Sequence, residues 1–199
     1  MKSMKTKYPD LNLNFTPFPI LSTSRLVLRN LVLEDSENLF AMRTDNQVMK
    51  YLGCDNMKNE EKAREYIQKM TRDVYDNKAI EWAITLKDEN QLIGKLGFWR
   101  IVIQHRRAEI GYSMFPKFFG KGIMTEAIRA VLDYGFEILN LQSVEANLDP
   151  ANTKSINLLT RTGFTKEGHF KERYFHNGEF TDTASYSLLR REWAHKNVF

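Results

Sequence analysis

The residues with the clearest chemical meaning lie together in one stretch, Met114-Phe115-Pro116-Lys117-Phe118-Phe119-Gly120-Lys121-Gly122-Ile123-Met124-Thr125-Glu126-Ala127. The pattern reads as the end of a strand, a Gly-x-Gly turn and the start of a helix. The first amides of a helix have no intrahelical acceptors, and the aligned peptide dipoles leave partial positive charge there. Glycines let the backbone approach a ligand closely and permit the dihedrals that turn successive N–H groups inward. Such a turn suits a phosphate group, and Lys117 and Lys121 either add cationic attraction or are simply solvated. Two familiar nucleotide loops are not matched: residue 125 is Thr where G-x-G-x-x-G needs a third Gly, and no Gly-Lys-Ser/Thr follows.

The surrounding sequence predicts the elements that hold this turn. Arg25 to Leu31 alternates apolar and polar residues as a half-buried strand does, and Glu34 to Met42 reads as a short helix with acidic residues near its start. Glu60 to Asp76 is a second helix, with Ala63, Ile67, Met70 and Val74 on one face. The period then becomes two: Glu81 to Leu86, Leu92 to Trp99 and Ala108 to Met114 read as successive antiparallel strands. Gly122 to Leu139 returns to helical spacing, with Ile123, Ala127, Val131, Tyr134 and Ile138 as its stripe, and Ser143 to Leu148 is a strand. Asn152 to Thr162 is a helix with Asn152 as N-cap and Gly163 as its left-handed stop. Phe170 to Phe175 and Glu179 to Leu188 flank Asn177-Gly178, a hairpin signal because a type I′ turn needs positive φ at both central residues. The strand before the glycine turn is antiparallel in this reading, whereas the two nucleotide loops belong to parallel β-α-β units.

Bulk properties bound the rest. The chain has 199 residues, 42% hydrophobic and 27% charged, enough to bury a core. Its net charge of +4 is spread with both signs mixed, the densest clusters being His105-Arg106-Arg107 and Arg190-Arg191. A nucleic-acid partner is not expected, since that needs a contiguous basic face. The single Cys54 excludes an internal disulfide, and His105, His169, His176 and His195 show no metal-ligand spacing, so no metal is expected. The basic stretch Met1 to Lys7 is followed by polar residues and Pro9 rather than an apolar signal core, and no run of apolar residues is long enough to span a membrane. A soluble, cytoplasmic protein without a membrane partner is expected, with residues 1–21, carrying Pro9, Pro17 and Pro19, as an extended or irregular arm.

Taken in order, these pieces make the chain similar to the GCN5-related N-acetyltransferases (GNAT), in particular to the branch of the ribosomal-protein N-terminal (alanine/serine) acetyltransferases. The resemblance rests on Thr23-x-Arg25-Leu26-x-Leu28-Arg29, the turn Phe119 to Ala127, Asn152-x-x-Ser155, Gly163-Phe164 with Glu167-Gly168, and the Asn177-Gly178 hairpin with Asp182. It implies an α+β fold layered α/β/α. Its sheet would be mixed, mainly antiparallel and splayed, of about six to seven strands, with helices on both faces and acetyl-CoA in the split. The domain would span residues 22–192, between the arm at 1–21 and a tail at 193–199. By position, the backbone of Tyr112, Ser113 and Met114 would pair with the pantetheine arm. Amides among Phe119, Gly120, Lys121, Gly122, Ile123, Met124 and Thr125 would hold the pyrophosphate, and Asn152 would touch the pantetheine region. Lys117 departs from the family pattern, which has Arg or Gln three residues before the first Gly.

Direct transfer to nitrogen needs a neutral amine, a polarised carbonyl and a proton for the departing thiolate. A free α-amine with pKa about 7.7 to 8.0 is roughly a tenth neutral at pH 7, whereas a lysine near 10.4 is neutral about once in 2,500. Glu109 is the candidate base, unless alternation turns it to solvent, and a backbone N–H near Met114 would meet the oxyanion. Many relatives place a Tyr seven residues after the motif Asn; here that position is Leu159. The ribosomal branch implies Ser155 as the donor to the thiolate instead, or else Ser155 bonds its own helix end. Tyr174 is a third candidate, or a groove-lining aromatic. The acceptor groove is expected between Asp45–Asn56 and the hairpin, where Trp82, Trp99, Tyr51 and Phe175 either line it or belong to the core. The resemblance implies an acetyl-CoA-dependent enzyme, monomer or homodimer, acting on a peptide N-terminal α-amine. The alternatives are a small amine acceptor (polyamine, aminoglycoside or amino acid) and a non-catalytic acyl-CoA sensor or adaptor.

Overall fold

Period-two burial along the middle of the chain builds one sheet, seen in a computed structural model that describes residues 10–196. The basic Met1 to Lys7 stretch and the rest of residues 1–9, together with 197–199 and the side chains of His195 and Lys196, lie outside the described residues. The strands are β1 (Leu21–Ser22), β2 (Leu26–Asn30), β3 (Ile80–Leu86), β4 (Gly94–Phe98), β5 (Arg107–Met114), β6 (Ser143–Leu148), β7 (Thr165–His176) and β8 (Glu179–Leu189). They lie in the order β1-β2-β3-β4-β5-β6-β8-β7, so the sheet has eight strands rather than the six to seven expected. The addition is β1, two residues paired to β2 through Leu21↔Leu28 and too short to carry a periodic signal. Among these pairings the β5–β6 contact is parallel.

Each sheet face has its own core. Leu26, Leu28, Trp82, Ile84, Leu96, Phe98, Ile110, Val144 and Leu188 point to one side, where α4 (Ile123–Asp133) and α5 (Thr153–Thr162) cover them with Ala127, Ile128, Val131 and Leu159. The opposite side carries α1 (Ser36–Met42) and α3 (Glu60–Tyr75), whose Leu39, Met42, Ala63, Ile67 and Met70 pack on Leu31, Ala83 and Leu92. Beneath α3, Lys95 reaches Glu81 at 2.5 Å and the Tyr66 hydroxyl at 2.8 Å. Although burial opposes it, this pairing raises the lysine's pKa and keeps it charged.

Three local features depart from the sequence reading. The helix after the glycine turn is regular to Asp133 and closes with a wide π turn over Tyr134–Ile138, fastened by Leu139 N donating to Tyr134 O. The extra residue in that turn rotates the stripe, so Phe136 and Leu139 are buried and Ile138 is half exposed. The segment 46–49 forms α2 (Asn46–Met49), capped by Asp45 through the amides of Gln47 and Val48. At the end, α6 (Arg190–Lys196) runs through the expected boundary at 192, and Trp193 is buried with its Nε1 donating to Asp133. The arm packs too: Phe15 is 1% exposed in the main core, and Pro19 O accepts a 2.7 Å hydrogen bond from Trp82 Nε1. Trp82 is therefore core, not a wall of an acceptor groove.

Candidate active site

Strand parity on β5 decides which groups face where. Trp99 N donates to Glu109 O, and Phe115 N donates to Ile93 O, so the odd residues of β5 bond toward β4. In an antiparallel ladder the alternate residues then direct their N–H and C=O to the other edge. On that edge β5 pairs with β6 through Arg107↔Ser143, Ala108↔Val144 and Glu109↔Glu145, and there the pairing stops, while β6 continues beside β8 to Leu148. The sheet therefore opens after Glu109, and the amides of Ile110, Tyr112 and Met114 face the gap.

The gap continues into an open cavity of about 750 Å³. At its floor Gly120 and Gly122 both take φ of +74°, and Gly122 caps α4 without offering a side chain. The first bond of the helix runs from Glu126 N to Gly122 O, so the amides of Ile123, Met124 and Thr125 have no intrahelical acceptor. A Cβ on Gly120 would meet nothing within 4 Å, so the turn is open to a ligand. These unclaimed donors, the missing side chains and the cavity's size fit a phosphorylated ligand. Glu126 lies outside the cavity lining and accepts hydrogen bonds from Thr23 Oγ1, Ser24 Oγ and Arg25. Burial pushes its carboxyl up, but those donors outweigh it and bring the pKa down to about 2.

Of the cofactor residues expected from sequence, Tyr112, Ser113, Met114, Phe119, Gly120, Gly122, Ile123, Met124, Thr125, Asn152 and Ser155 line this cavity. Lys121 does not: its carbonyl is held by Arg25 Nη1 at 3.0 Å, and its ammonium lies over the Phe118 ring. Asn152 Oδ1 caps α5 by accepting from Ser155 N at 3.1 Å, which leaves its amide N–H₂ for a ligand. The Ser155 hydroxyl crosses to β5 rather than bonding its own helix end, and meets Tyr112 OH at 2.8 Å. Leu159 is fully buried.

Glu109 lies on the face opposite Tyr112 and is 7% exposed, so it is not a solvated residue of an alternating strand. Burial raises its pKa, partly offset by a hydrogen bond from Asn147 on β6 and by Arg100, whose Nη1 lies 3.5 Å away. Trp99, half exposed on the same side, lies over Gly111. Tyr174 and Phe175 are exposed on β7, outside the cavity lining, and Phe175 packs on Phe180. Lys50, Tyr51 and Leu52, from the Asp45–Asn56 segment expected beside the groove, line the cavity, and sequence reasoning missed Lys154 and Arg161 of α5. The i, i+7 spacing of Lys154 and Arg161 puts both on one helix face, a signal that was available. Among the described residues no cluster of His, Cys, Asp and Glu is placed to hold a metal, and no helix is long and apolar enough to cross a membrane.

A mixed sheet that parts beside one short parallel strand pair, with a glycine-capped helix at the mouth of the gap, defines the class of splayed-sheet acyltransferases. The chain belongs to the GNAT acetyltransferase family, whose profile, described as Acetyltransferase (GNAT) domain, matches residues 25–165. It is 38% identical over 173 residues to YoaA of Bacillus subtilis, an uncharacterised N-acetyltransferase, covering 87% of this chain and 98% of YoaA. The spermidine N(1)-acetyltransferase of Vibrio cholerae is 28% identical over 87% of this chain and 98% of its own length. Among solved structures, a GNAT-family acetyltransferase from Bacillus anthracis superposes with a TM-score of 0.78 at 31% identity, covering 87% of this chain and 100% of that one. The chain is an N-acetyltransferase of the GNAT type.

Proposed function

We propose that this enzyme transfers an acetyl group from acetyl-CoA to the α-amine of a peptide or protein N-terminus. One observation carries the reading: Glu109, a buried carboxylate with a raised pKa, sits at the last paired position before the sheet opens, on the face opposite Tyr112 and Ser155. In this reading the donor lies along the split on the α4 and α5 side. Its pyrophosphate meets the amides of residues 120–125, and Lys154 and Arg161 supply further positive charge to its phosphates. The amine approaches from the Glu109 side. Its nitrogen attacks the thioester carbonyl, Glu109 takes its proton directly or through water, a β5 amide stabilises the oxyanion, and the C–S bond breaks with the electron pair leaving on sulfur beside Ser155.

Charge on the acceptor side favours an N-terminus over a polycation. Glu109 faces Arg100, and Glu145 is bonded to Arg107 at 3.0 Å, so these two carboxylates are already neutralised rather than forming an anionic well. A carboxylate base also suits an amine of which about a tenth is already neutral at pH 7, rather than one neutral about once in 2,500. The likeness to a spermidine N(1)-acetyltransferase supports a polyamine as the second reading.

The test is thiol release from acetyl-CoA with N-terminal Ala and Ser peptides, polyamines, aminoglycosides and free amino acids. Peptide kcat/KM should exceed that of spermidine. The reverse order overturns the acceptor assignment, and tight CoA binding with no turnover on any amine overturns the enzymatic one.

A further inference from the structure

Tyr112 and Ser155 are 43 residues apart in sequence, on a strand and a helix, yet their hydroxyls meet at 2.8 Å inside the cavity that both line. The contact is needed neither to cap the helix nor to pack the ring. Asn152 already caps the N-terminus of α5 through Ser155 N, and the ring of Tyr112 packs against the main core without help from its hydroxyl. The bond therefore orients a hydroxyl.

We propose that Tyr112 is a positioning residue for thiol departure: its phenol donates to Ser155 Oγ and so directs the serine hydroxyl hydrogen into the cavity, toward the sulfur that leaves. This rests on the acetyl-CoA reading above. A serine hydroxyl carries one proton and two acceptor sites. If Tyr112 fills an acceptor site, the serine proton is left for another partner, and the open direction is the cavity. If instead serine donated to tyrosine, no proton would be available to the sulfur.

Burial pushes the Tyr112 phenol up to about 12, with the Ser155 contact offsetting part of the rise, so it remains protonated throughout the range in which an α-amine becomes neutral. The same value limits its role. Against a thiol near 8.5, such a phenol is more than about a thousandfold too weak an acid to hand over its proton. The departing sulfur therefore receives a hydrogen bond from Ser155, not a proton. It leaves as a thiolate and takes its proton from water, while the proton of the amine passes to Glu109 and then to solvent, so the balance closes without a tyrosinate.

Two measurements test this, one independent of turnover. The first titrates the thiol of bound CoA by its ultraviolet difference absorbance, with desulfo-CoA as control, in the wild type, Tyr112→Phe, Ser155→Ala and Ser155→Thr. A hydrogen bond to the thiolate lowers the thiol pKa. The wild-type value should lie below that of free CoA, Tyr112→Phe and Ser155→Ala should raise it by similar amounts, and Ser155→Thr should retain the wild-type value. An unchanged thiol pKa in Tyr112→Phe overturns the proposal even if no acceptor amine is turned over.

The second uses the amine that gives the fastest turnover. One correctly placed hydrogen bond corresponds to about tenfold in kcat, so Tyr112→Phe should lose that factor with KM for acetyl-CoA within about twofold. The double variant Tyr112→Phe/Ser155→Ala should be no slower than Ser155→Ala alone. Multiplicative losses, a loss confined to KM, or an alkaline limb that moves in Tyr112→Phe would each sink it, the last because it would make the phenol itself the proton source.

Discussion

Arg25 lays its Nε on the Glu126 carboxylate at 2.7 Å and its Nη1 on the Lys121 carbonyl at 3.0 Å, so the residue just before β2 grips the glycine turn from both sides. The Thr23-x-Arg25 motif is thereby tied to the ligand turn by tertiary contact. The folded pKa of Glu126, about 2, lies below its ordinary 4.5. A depressed carboxyl stabilises the fold above its unfolded pKa, and that contribution is lost as pH falls through the folded value. The wild type should therefore lose stability between pH of about 4.5 and about 2 more steeply than Glu126→Gln, as read by urea unfolding across that window. Parallel pH profiles for the two proteins would contradict the assignment.

Glu109 has the opposite shift. Glu109→Gln should lower kcat/KM by about 10² to 10⁴ at neutral pH, the range for loss of a general base. Because burial raises its pKa, the wild-type profile, with kcat/KM expressed per neutral amine so that the substrate's own titration is removed, should show an acid limb above the ordinary carboxylate value that is absent in the variant. A limb that persists in Glu109→Gln would place the base elsewhere.

Gly122→Val tests the turn. At φ of +74° a β-branched residue is strained, and a Cβ there comes within 3.4 Å of Arg25 Nη2, the side chain that buttresses the loop. CoA affinity, measured by calorimetry, should fall by about tenfold or more, in line with about 1 to 2 kcal/mol of backbone strain. Unaltered affinity would move the phosphate site away from this turn.

Phe15 makes the arm part of the core. Phe15→Ala removes a fully buried ring and should cost about 3 to 5 kcal/mol of stability by chemical denaturation. A loss under about 1 kcal/mol, within the range for surface substitutions, would show the arm to be a dispensable strap.

What was legible in the sequence had a period or a backbone signature. The α3 face of Ala63, Ile67, Met70 and Val74 is buried as its spacing requires, and Asn177 and Gly178 take the two positive φ values of the hairpin turn. The cavity floor was legible because its chemistry comes from backbone amides, which a Gly-x-Gly turn announces. What stayed hidden is what tertiary contact alone creates. The four residues of α2 are too few for a periodic signal, the π turn shifts its stripe by one residue, and the Tyr112 hydroxyl meets Ser155 through the packing of α5 on the sheet. Trp82 reads equally as a wall or as core, and its hydrogen bond to Pro19 decides for the core.

The alternation of β5 has an evolutionary corollary. Glu109 and Tyr112 are separated by an odd number of steps and so stand on opposite faces, which the proposed reaction assigns one to the acceptor and one to the donor. Between Arg107 and Met114, substitutions on one face can retune acceptor choice without disturbing the other. A single-residue insertion or deletion cannot, because it would turn every later side chain over and exchange the two sides of the reaction. Outside Glu109 and Tyr112, this stretch should tolerate a change of residue type better than a change of length.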